Sequence, residues 1–160
     1  MDFKIRRAGH VVLRVTDVAR AKAFLEDVIG FATYAQAGEH FFFLSAQPVS
    51  NHHMIAVRPG KEGERLPDAE NQIGMVSISY EVIDFDELAR IYQRIKAFGG
   101  DYGARILAAE DRGHINTVLC EDADGNRIEF YCYLPEDEVG DAAPYVLRGS
   151  AEDKLEAAAS

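Results

Sequence analysis

An internal repeat constrains the fold of this chain more than any other feature of its sequence. The first copy begins with HVVLRVTD at 10–17, and the second begins with SISYEVID at 77–84. In both copies a short β-rich run meets an aspartate, Asp17 or Asp84, and a helical pattern that ends at glycine follows. An aspartate in this place can accept the unpaired N–H groups of the first helical turn. Each copy therefore predicts a strand followed by a capped helix.

The rest of each copy completes the same order of elements. One face of the second helix is apolar and is formed by Leu88, Ile91, Tyr92, Ile95 and Phe98. The apolar face predicted for the first helix is Ala21, Leu25, Val28 and Ile29. Three short strands are predicted after each helix, near 33–36, 40–46 and 52–58 in one copy and near 103–109, 114–121 and 126–133 in the other. The predicted fold class is therefore α+β, built from two βαβββ modules.

Composition shifts along the chain set the predicted boundaries. Module 1 spans 5–58 and module 2 spans 72–134, and the charged, Gly- and Pro-rich segment 59–71 is a predicted linker. Together they make a single domain over 1–134. Residues 135–160 open with PEDE and close with AAAS. We expect them to form an acidic tail that is poorly ordered or lies on a partner as an arm.

Charge and apolar content restrict the classes of function. The 160 residues include 17 basic and 27 acidic ones, for a net charge of −10, and 48% are hydrophobic. This balance indicates a globular chain and argues against nucleic acid and anionic membrane surfaces as partners. We see no apolar run of the ~20 residues that a membrane helix needs and no secretory signal. Cys120 and Cys132 have no CxxC spacing and are predicted core residues, so we expect a cytoplasmic protein.

Strand alternation selects the side chains that could face a ligand. Only one parity of each strand can share a face. The candidates on the first and last strands are His10, Val12, Arg14, Glu129, Tyr131 and Tyr133. Imidazole and carboxylate groups together are ligands typical of Fe(II), Mn(II), Ni(II) or Zn(II). The alternative interpretation is a partly buried, hydrogen-bonded His10 and a surface acid at Glu129.

Four motifs, in this order and spacing, resemble the vicinal oxygen chelate superfamily. They are GHVVLRVTDVARAKAFLEDVIGF, NHHMIAV, GMVSISYEV and EDADGNRIEFY. This group includes glyoxalases, bleomycin-resistance proteins, fosfomycin-resistance enzymes and extradiol dioxygenases, and the resemblance covers residues 8–134. It implies curved mixed sheets that enclose a cavity with a divalent metal, and a homodimer. The motifs around 51–57 and 121–131 are most similar to the extradiol branch.

The resemblance also implies roles for individual residues. His10 and Glu129 match two metal ligands of the family, for Fe(II) or Mn(II) first and Zn(II) or Ni(II) as alternatives. His53 matches a histidine that moves protons in extradiol dioxygenases. Three positions depart from the family pattern, because Ser77 replaces a ligand histidine, Leu119 replaces a tyrosine and Arg112 replaces another histidine. A serine hydroxyl is a poor ligand for these ions, so the departure at Ser77 puts the metal in doubt.

Three functions therefore remain open at this point. The first is a metal-dependent enzyme that acts on a small molecule with adjacent oxygens, with extradiol ring cleavage as one such reaction. In this enzyme the residues that contact the substrate would be His52, Arg14, Tyr131 and Ser77. The second is a metal-free binding protein of the bleomycin-resistance kind, for which a net charge of −10 would suit a cationic ligand. A domain whose site has decayed, and which acts by interaction alone, is a third hypothesis.

Overall fold

The computed structural model describes residues 9–46, 53–60, 73–139 and 146–158. The chain divides into two compact units, Met1–Glu64 (unit 1) and Arg65–Ser160 (unit 2). The division falls inside the segment predicted to be a linker. Each unit contains its own sheet and its own sheet-covering helix.

Unit 1 is one βαβββ module with a four-stranded mixed sheet. Its elements are β1 (Val11–Val15), α1 (Val18–Ala23) with a π-helical continuation (Phe24–Ile29), β2 (Ala32–Ala37), β3 (Phe41–Ser45) and β4 (Ile55–Pro59). The strand order is β1-β4-β3-β2, with β1 parallel to β4 and the other neighbours antiparallel. This arrangement brings the two ends of the module side by side in the sheet.

The first helix begins and ends as its sequence predicts. Asp17 caps it, since its carboxylate accepts a hydrogen bond from the backbone N–H of Arg20 at 3.0 Å. Gly30 ends it in the left-handed conformation, with φ of +88°. Side chains without a preference for left-handed backbone would be strained there. The predicted apolar face is confirmed, because its four residues are all buried: Ala21, Leu25, Val28 and Ile29.

Unit 2 repeats the module and adds elements at its end. They are β5 (Ile78–Glu81), α2 (Phe85–Phe98) with a 3-10 turn (Gly99–Tyr102), β6 (Arg105–Asp111), β7 (Ile115–Glu121), β8 (Arg127–Tyr133), α3 (Glu136–Val139), β9 (Gly149–Ser150) and α4 (Glu152–Ala158). The strand order is β5-β8-β7-β6-β9, with β5 parallel to β8. The predicted α+β class with two βαβββ modules is thus confirmed, in sheets of four and five strands.

Helix α2 confirms its predicted cap and most of its predicted buried face. The carboxylate of Asp84 accepts a hydrogen bond from the N–H of Glu87 at 2.8 Å. Four of the five predicted face residues are buried: Leu88, Ile91, Tyr92 and Ile95. Phe98 is the exception, with 55% of its surface exposed. It is the last residue of the helix, where the chain enters the tight turn and leaves the line of the buried face.

The end of the chain differs from the expectation of a poorly ordered tail. Strand β9 pairs antiparallel with β6, and α4 packs against α2. Ala151 and Leu155 are fully buried, which explains the packing, since they give an otherwise acidic segment an apolar contact face. We call residues 146–158 the C-terminal arm.

Two further expectations concern single features. Cys120 and Cys132 are both buried free thiols, as predicted for core residues. Burial raises the pKa of Cys120 to about 12 and that of Cys132 to about 11. Among the residues that the structure describes, no helix combines the length and apolar character needed to cross a membrane.

Candidate functional site

In unit 1, the fold brings two predicted site residues together. His10 lies just before β1 and His53 just before β4, and the parallel register pairs Val11 with Ile55. The imidazole ring centroids of His10 and His53 are 4.1 Å apart. The ring of Phe43 on β3 meets His53 edge-on at 5.0 Å. The two histidines therefore form a pair at one end of the sheet, with His10 exposed and His53 half-buried.

Arg14, which is predicted to contact the substrate, is not part of this pair. Arg14 is exposed on β1, where it lies opposite Arg58 of β4. Two cations side by side on neighbouring strands repel each other, so this position favours solvent or an anionic partner. His52 lies outside the residues that the structure describes.

In unit 2, the two faces of the sheet differ in chemistry. Along β8, the side chains of Ile128, Phe130 and Cys132 are buried on the face covered by α2. Glu129 and Tyr131 lie on the opposite face and are half-buried. The alternation agrees with the parity predicted for this strand.

The carboxylate of Glu129 is held by two neighbours in unit 2. The Ser79 hydroxyl donates a hydrogen bond to its Oε2 at 2.6 Å. The Arg112 guanidinium pairs with its Oε1 at 3.0 Å through Nη1. The Nε of Arg112 in turn donates to Oε2 of Glu110 at 2.8 Å. Each oxygen of Glu129 thus has one polar partner, and one guanidinium bridges two carboxylates.

Strand register and one tight turn bring Ser79, Glu110, Arg112 and Glu129 together, and we call these four residues the Glu129 cluster. Ser79 lies directly opposite Glu129 because β5 and β8 are parallel neighbours in that register. Arg112 opens the turn between β6 and β7, and its N–H donates to the carbonyl of Ile115 at 2.9 Å. Gly113, with φ of +83°, makes the turn, since this backbone conformation favours glycine.

The carboxylate of Asp111, the last residue of β6, stabilises the same turn. It accepts a hydrogen bond from the N–H of Gly113 at 2.9 Å and pairs with Lys154 at 3.1 Å. Burial would raise the pKa of Asp111, but the Gly113 N–H and the Lys154 and Arg148 cations outweigh burial and lower this pKa. Asp111 is therefore a stable anion at neutral pH.

The hydrogen bond and the ion pair of Glu129 involve none of the remaining candidates of unit 2. The serine that contacts Glu129 is Ser79, whereas the predicted Ser77 lies just before β5 and is half-buried. Leu119 is the cross-strand neighbour of Glu129 on β7, so an aliphatic side chain borders the carboxylate. Tyr131 stacks edge-on with Tyr133 at 5.8 Å.

A groove of about 610 Å³ lies elsewhere in unit 2. It lies between the start of α2, the start of β7, the end of β8 and the short helices α3 and α4. The lining residues are Ile83, Asp84, Phe85, Asp86, Asn116, Tyr133, Leu134, Pro135, Glu138 and Lys154. Of the described candidates, Tyr133 lines it, but no residue with a predicted metal, proton-transfer or substrate-contacting role does. The candidate functional site is therefore the Glu129 cluster and not this groove.

These features define a class of protein with two βαβββ modules and a polar cluster on one face of its second sheet. This is the face that α2 does not cover, and we call it the open face. The chain belongs to the glyoxalase/bleomycin resistance protein/dioxygenase superfamily, whose model matches residues 7–130. This match confirms the superfamily that the motifs resemble, while the extradiol branch stays a prediction. No curated protein sequence matches the chain.

Solved structures support the same fold at low sequence identity. A FosX fosfomycin resistance protein variant from Listeria monocytogenes, solved with Mn(II) and 1S,2S-dihydroxypropylphosphonic acid, is 20% identical, with 86% of this chain and 98% of that chain covered and a TM-score of 0.61. Lactoylglutathione lyase from Agrobacterium tumefaciens is 18% identical over 87% and 100%, with a TM-score of 0.57. A glyoxylase/bleomycin resistance protein/dioxygenase domain from Frankia sp. EAN1pec is 17% identical over 83% and 96%, with a TM-score of 0.65.

The described residues lack a complete ligand set for the divalent metal that the family implies. Each oxygen of Glu129 already accepts one polar contact, from Ser79 or from Arg112, so a metal ion at this carboxylate would compete with a bound cation. Ser77 adds no imidazole nitrogen. Within the described ranges, no group of three His, Cys, Asp or Glu side chains is placed to hold a metal ion. The cation beside Glu129 is a guanidinium.

Sequence reasoning missed three members of the cluster: Ser79, Glu110 and Arg112. One signal was available, because Glu110 and Arg112 carry opposite charges and lie two residues apart in the sequence. Their link to Glu129 depends on the pairing of β6, β7 and β8, which the sequence pattern does not specify.

Proposed function

We propose that this chain binds a small molecule with two adjacent oxygens on the open face of its second sheet, and that Arg112 takes the place of the metal. The observation that carries the proposal is the Arg112–Glu129 pair at 3.0 Å, which places a fixed positive charge where the family resemblance implies a metal ion. The pair, the Ser79 hydroxyl and the nearby Tyr131 form the proposed binding surface.

The donor count of Arg112 supports this role. A guanidinium has five N–H donors in one plane. Its contacts with Glu110 and Glu129 use Nε and Nη1, so Nη2 has no partner among the described residues. The side chain is 31% exposed, so a ligand can reach the guanidinium from solvent. A planar pair of N–H groups matches two adjacent oxygen acceptors.

The charge of the cluster restricts the ligand further. Two carboxylates surround one guanidinium, so the cluster has a net charge of −1 when Glu110 and Glu129 are ionised. A neutral vicinal diol or catechol suits this charge better than a dianion does. Tyr131 supplies an aromatic ring on the same face of β8 for contact with a ring of the ligand.

Binding of catechol, with phenol as the analogue that has one oxygen, tests the proposal. We expect calorimetry on chelator-treated protein to detect catechol binding, and phenol to bind more weakly because it offers no second oxygen to the guanidinium. Arg112→Ala should abolish the difference. Arg90→Ala is the matched control, since Arg90 pairs with Glu87 on the exposed side of α2.

Two results would reject the proposal. One is catechol binding that disappears on chelation and returns with Mn(II). The other is equal binding of catechol by the Arg112→Ala and wild-type proteins.

A second candidate function is a metal-dependent enzyme of the same superfamily. The observation in its favour is the pair of imidazoles in unit 1, His10 and His53, and the FosX relative was solved with Mn(II). By resemblance, His10 and Glu129 would bind Fe(II) or Mn(II), and His53 would carry a proton. In this function a metal would compete with the Arg112 cation at Glu129, so the Arg112→Ala variant should then bind metal more tightly than the wild type.

We also infer a homodimer, on the resemblance alone, and a cytoplasmic location, on the two buried free cysteines. Light scattering of the purified chain at micromolar concentration tests the oligomeric state, and a mass of one chain would reject the dimer.

A further inference from the structure

We infer that the C-terminal arm positions Arg112 against Glu129. The inference rests on the proposed function, because it concerns the guanidinium that is proposed to meet the ligand. In this role the residues of the arm are positioning residues, since they act through β6 and its turn and do not touch the proposed binding surface themselves.

The first link is a backbone clamp on the end of β6. The N–H of Ala151 donates to the carbonyl of Ala109 at 3.0 Å, and the N–H of Arg148 donates to the carbonyl of Asp111 at 2.7 Å. These two carbonyls flank Glu110, which lies opposite Ser150 in the ladder. The arm therefore fixes the backbone on both sides of the residue that holds Arg112.

The second link runs through side chains to the turn. Lys154 on α4 pairs with one oxygen of Asp111 at 3.1 Å, and the other oxygen accepts the N–H of Gly113 at 2.9 Å. Arg112 lies between these two residues. The arm thus holds the carboxylate that links the residue immediately before Arg112 to the residue immediately after it.

Burial and charge keep the arm in place. Leu155 is fully buried, and its N–H donates to the carbonyl of Ala151, which is also fully buried. The carboxylate of Glu156 pairs with Lys96 and accepts a hydrogen bond from the Tyr92 hydroxyl, both on α2. These contacts tie the arm to α2, the helix that covers the sheet of unit 2.

The chain of contacts ends at the proposed site. Glu110 accepts a hydrogen bond from Nε of Arg112, and Nη1 of Arg112 meets Glu129. If the arm separates from β6, the end of the strand and its turn lose their restraints on one side. Arg112 then samples more orientations, and the ordered donor edge that a ligand would meet is lost.

The NMR signal of the Arg112 Nε–H group, assigned through its loss in Arg112→Lys, reports this restraint without any ligand. In the full chain we expect Lys154→Ala and Leu155→Ala to speed its exchange with solvent, by roughly tenfold for Leu155→Ala. Lys154 is 59% exposed, so its replacement keeps the fold even if Leu155→Ala does not.

Matched controls come from unit 1. Lys22→Ala removes a lysine that also pairs with a carboxylate, Glu26, and Leu25→Ala removes a buried leucine. An unchanged Arg112 signal in both arm variants would overturn the inference, and so would equal changes in the controls. The proposed function fails by a separate result, since it requires catechol binding to depend on Arg112 whether or not the arm restrains it.

Discussion

The ion pair between Arg112 and Glu129 should contribute measurably to the stability of the chain. The side chains are 31% and 12% exposed, so the pair is neither buried nor fully solvated. A hydrogen bond to a charged group contributes about 1.5–3 kcal/mol, and exposed pairs contribute about 0–1 kcal/mol. We therefore expect a coupling free energy of about 1–2 kcal/mol between these two residues.

A double-mutant cycle in urea measures this coupling directly. It requires the free energy of unfolding of the wild type, Arg112→Ala, Glu129→Ala and the double variant. The control cycle uses Arg90 and Glu87, an exposed helical pair for which we expect about 0.3 kcal/mol. A coupling for Arg112 and Glu129 no larger than that of the control pair would refute the reasoning, because Glu129 would then lack a specific cation.

Three further outcomes follow from the packing of unit 2. Leu155→Ala should lower the free energy of unfolding by about 2–5 kcal/mol, since Leu155 is fully buried, and chemical denaturation would show a smaller loss if the arm were detached. Because folding lowers the pKa of Asp111, the ionised carboxylate stabilises the fold at pH values above its ordinary pKa of 3.8, and this stability is lost as pH falls through the folded pKa. The difference in the free energy of unfolding between wild type and Asp111→Asn should therefore shrink in acid titrations monitored by circular dichroism. Gly103→Ala should be destabilising by at least about 1 kcal/mol in a thermal melt, because a Cβ would lie 2.9 Å from that of Ala123 at a φ of +75°, and an unchanged melting temperature would contradict this.

The repeat and its caps allowed the two modules to be predicted from local sequence alone. Asp17 and Asp84 act within one helical turn, and alternation in β8 decides which side Glu129 faces. These features depend on residues close together in the sequence. They fix each element and its buried face without knowledge of the partner strand.

The contacts around Glu129 could not be predicted in the same way. Ser79 and Glu129 meet only because β5 and β8 are parallel neighbours in one particular register. A shift by one residue would turn Ser79 to the other face, and nothing in a four-residue strand fixes that register. Arg112 joins them from a turn, where periodicity gives no direction to a side chain.

The arm shows the limit of composition as evidence. Its acidic residues predict disorder, but Ala151 and Leu155 are enough to bury one side of a short helix. The gain depends on a complementary surface on α2 and on an unpaired edge of β6, and both are properties of the folded unit.

The metal content of the purified chain tests most directly whether Arg112 stands in for a metal at Glu129. The protein would be prepared without an affinity tag, reconstituted anaerobically with Fe(II), Mn(II), Ni(II) or Zn(II), and analysed by elemental mass spectrometry. We expect well under one ion per chain with each metal, and no change in Glu129→Ala. Close to one ion per chain in the wild type, lost in Glu129→Ala, would contradict the proposal and make Glu129 a metal ligand.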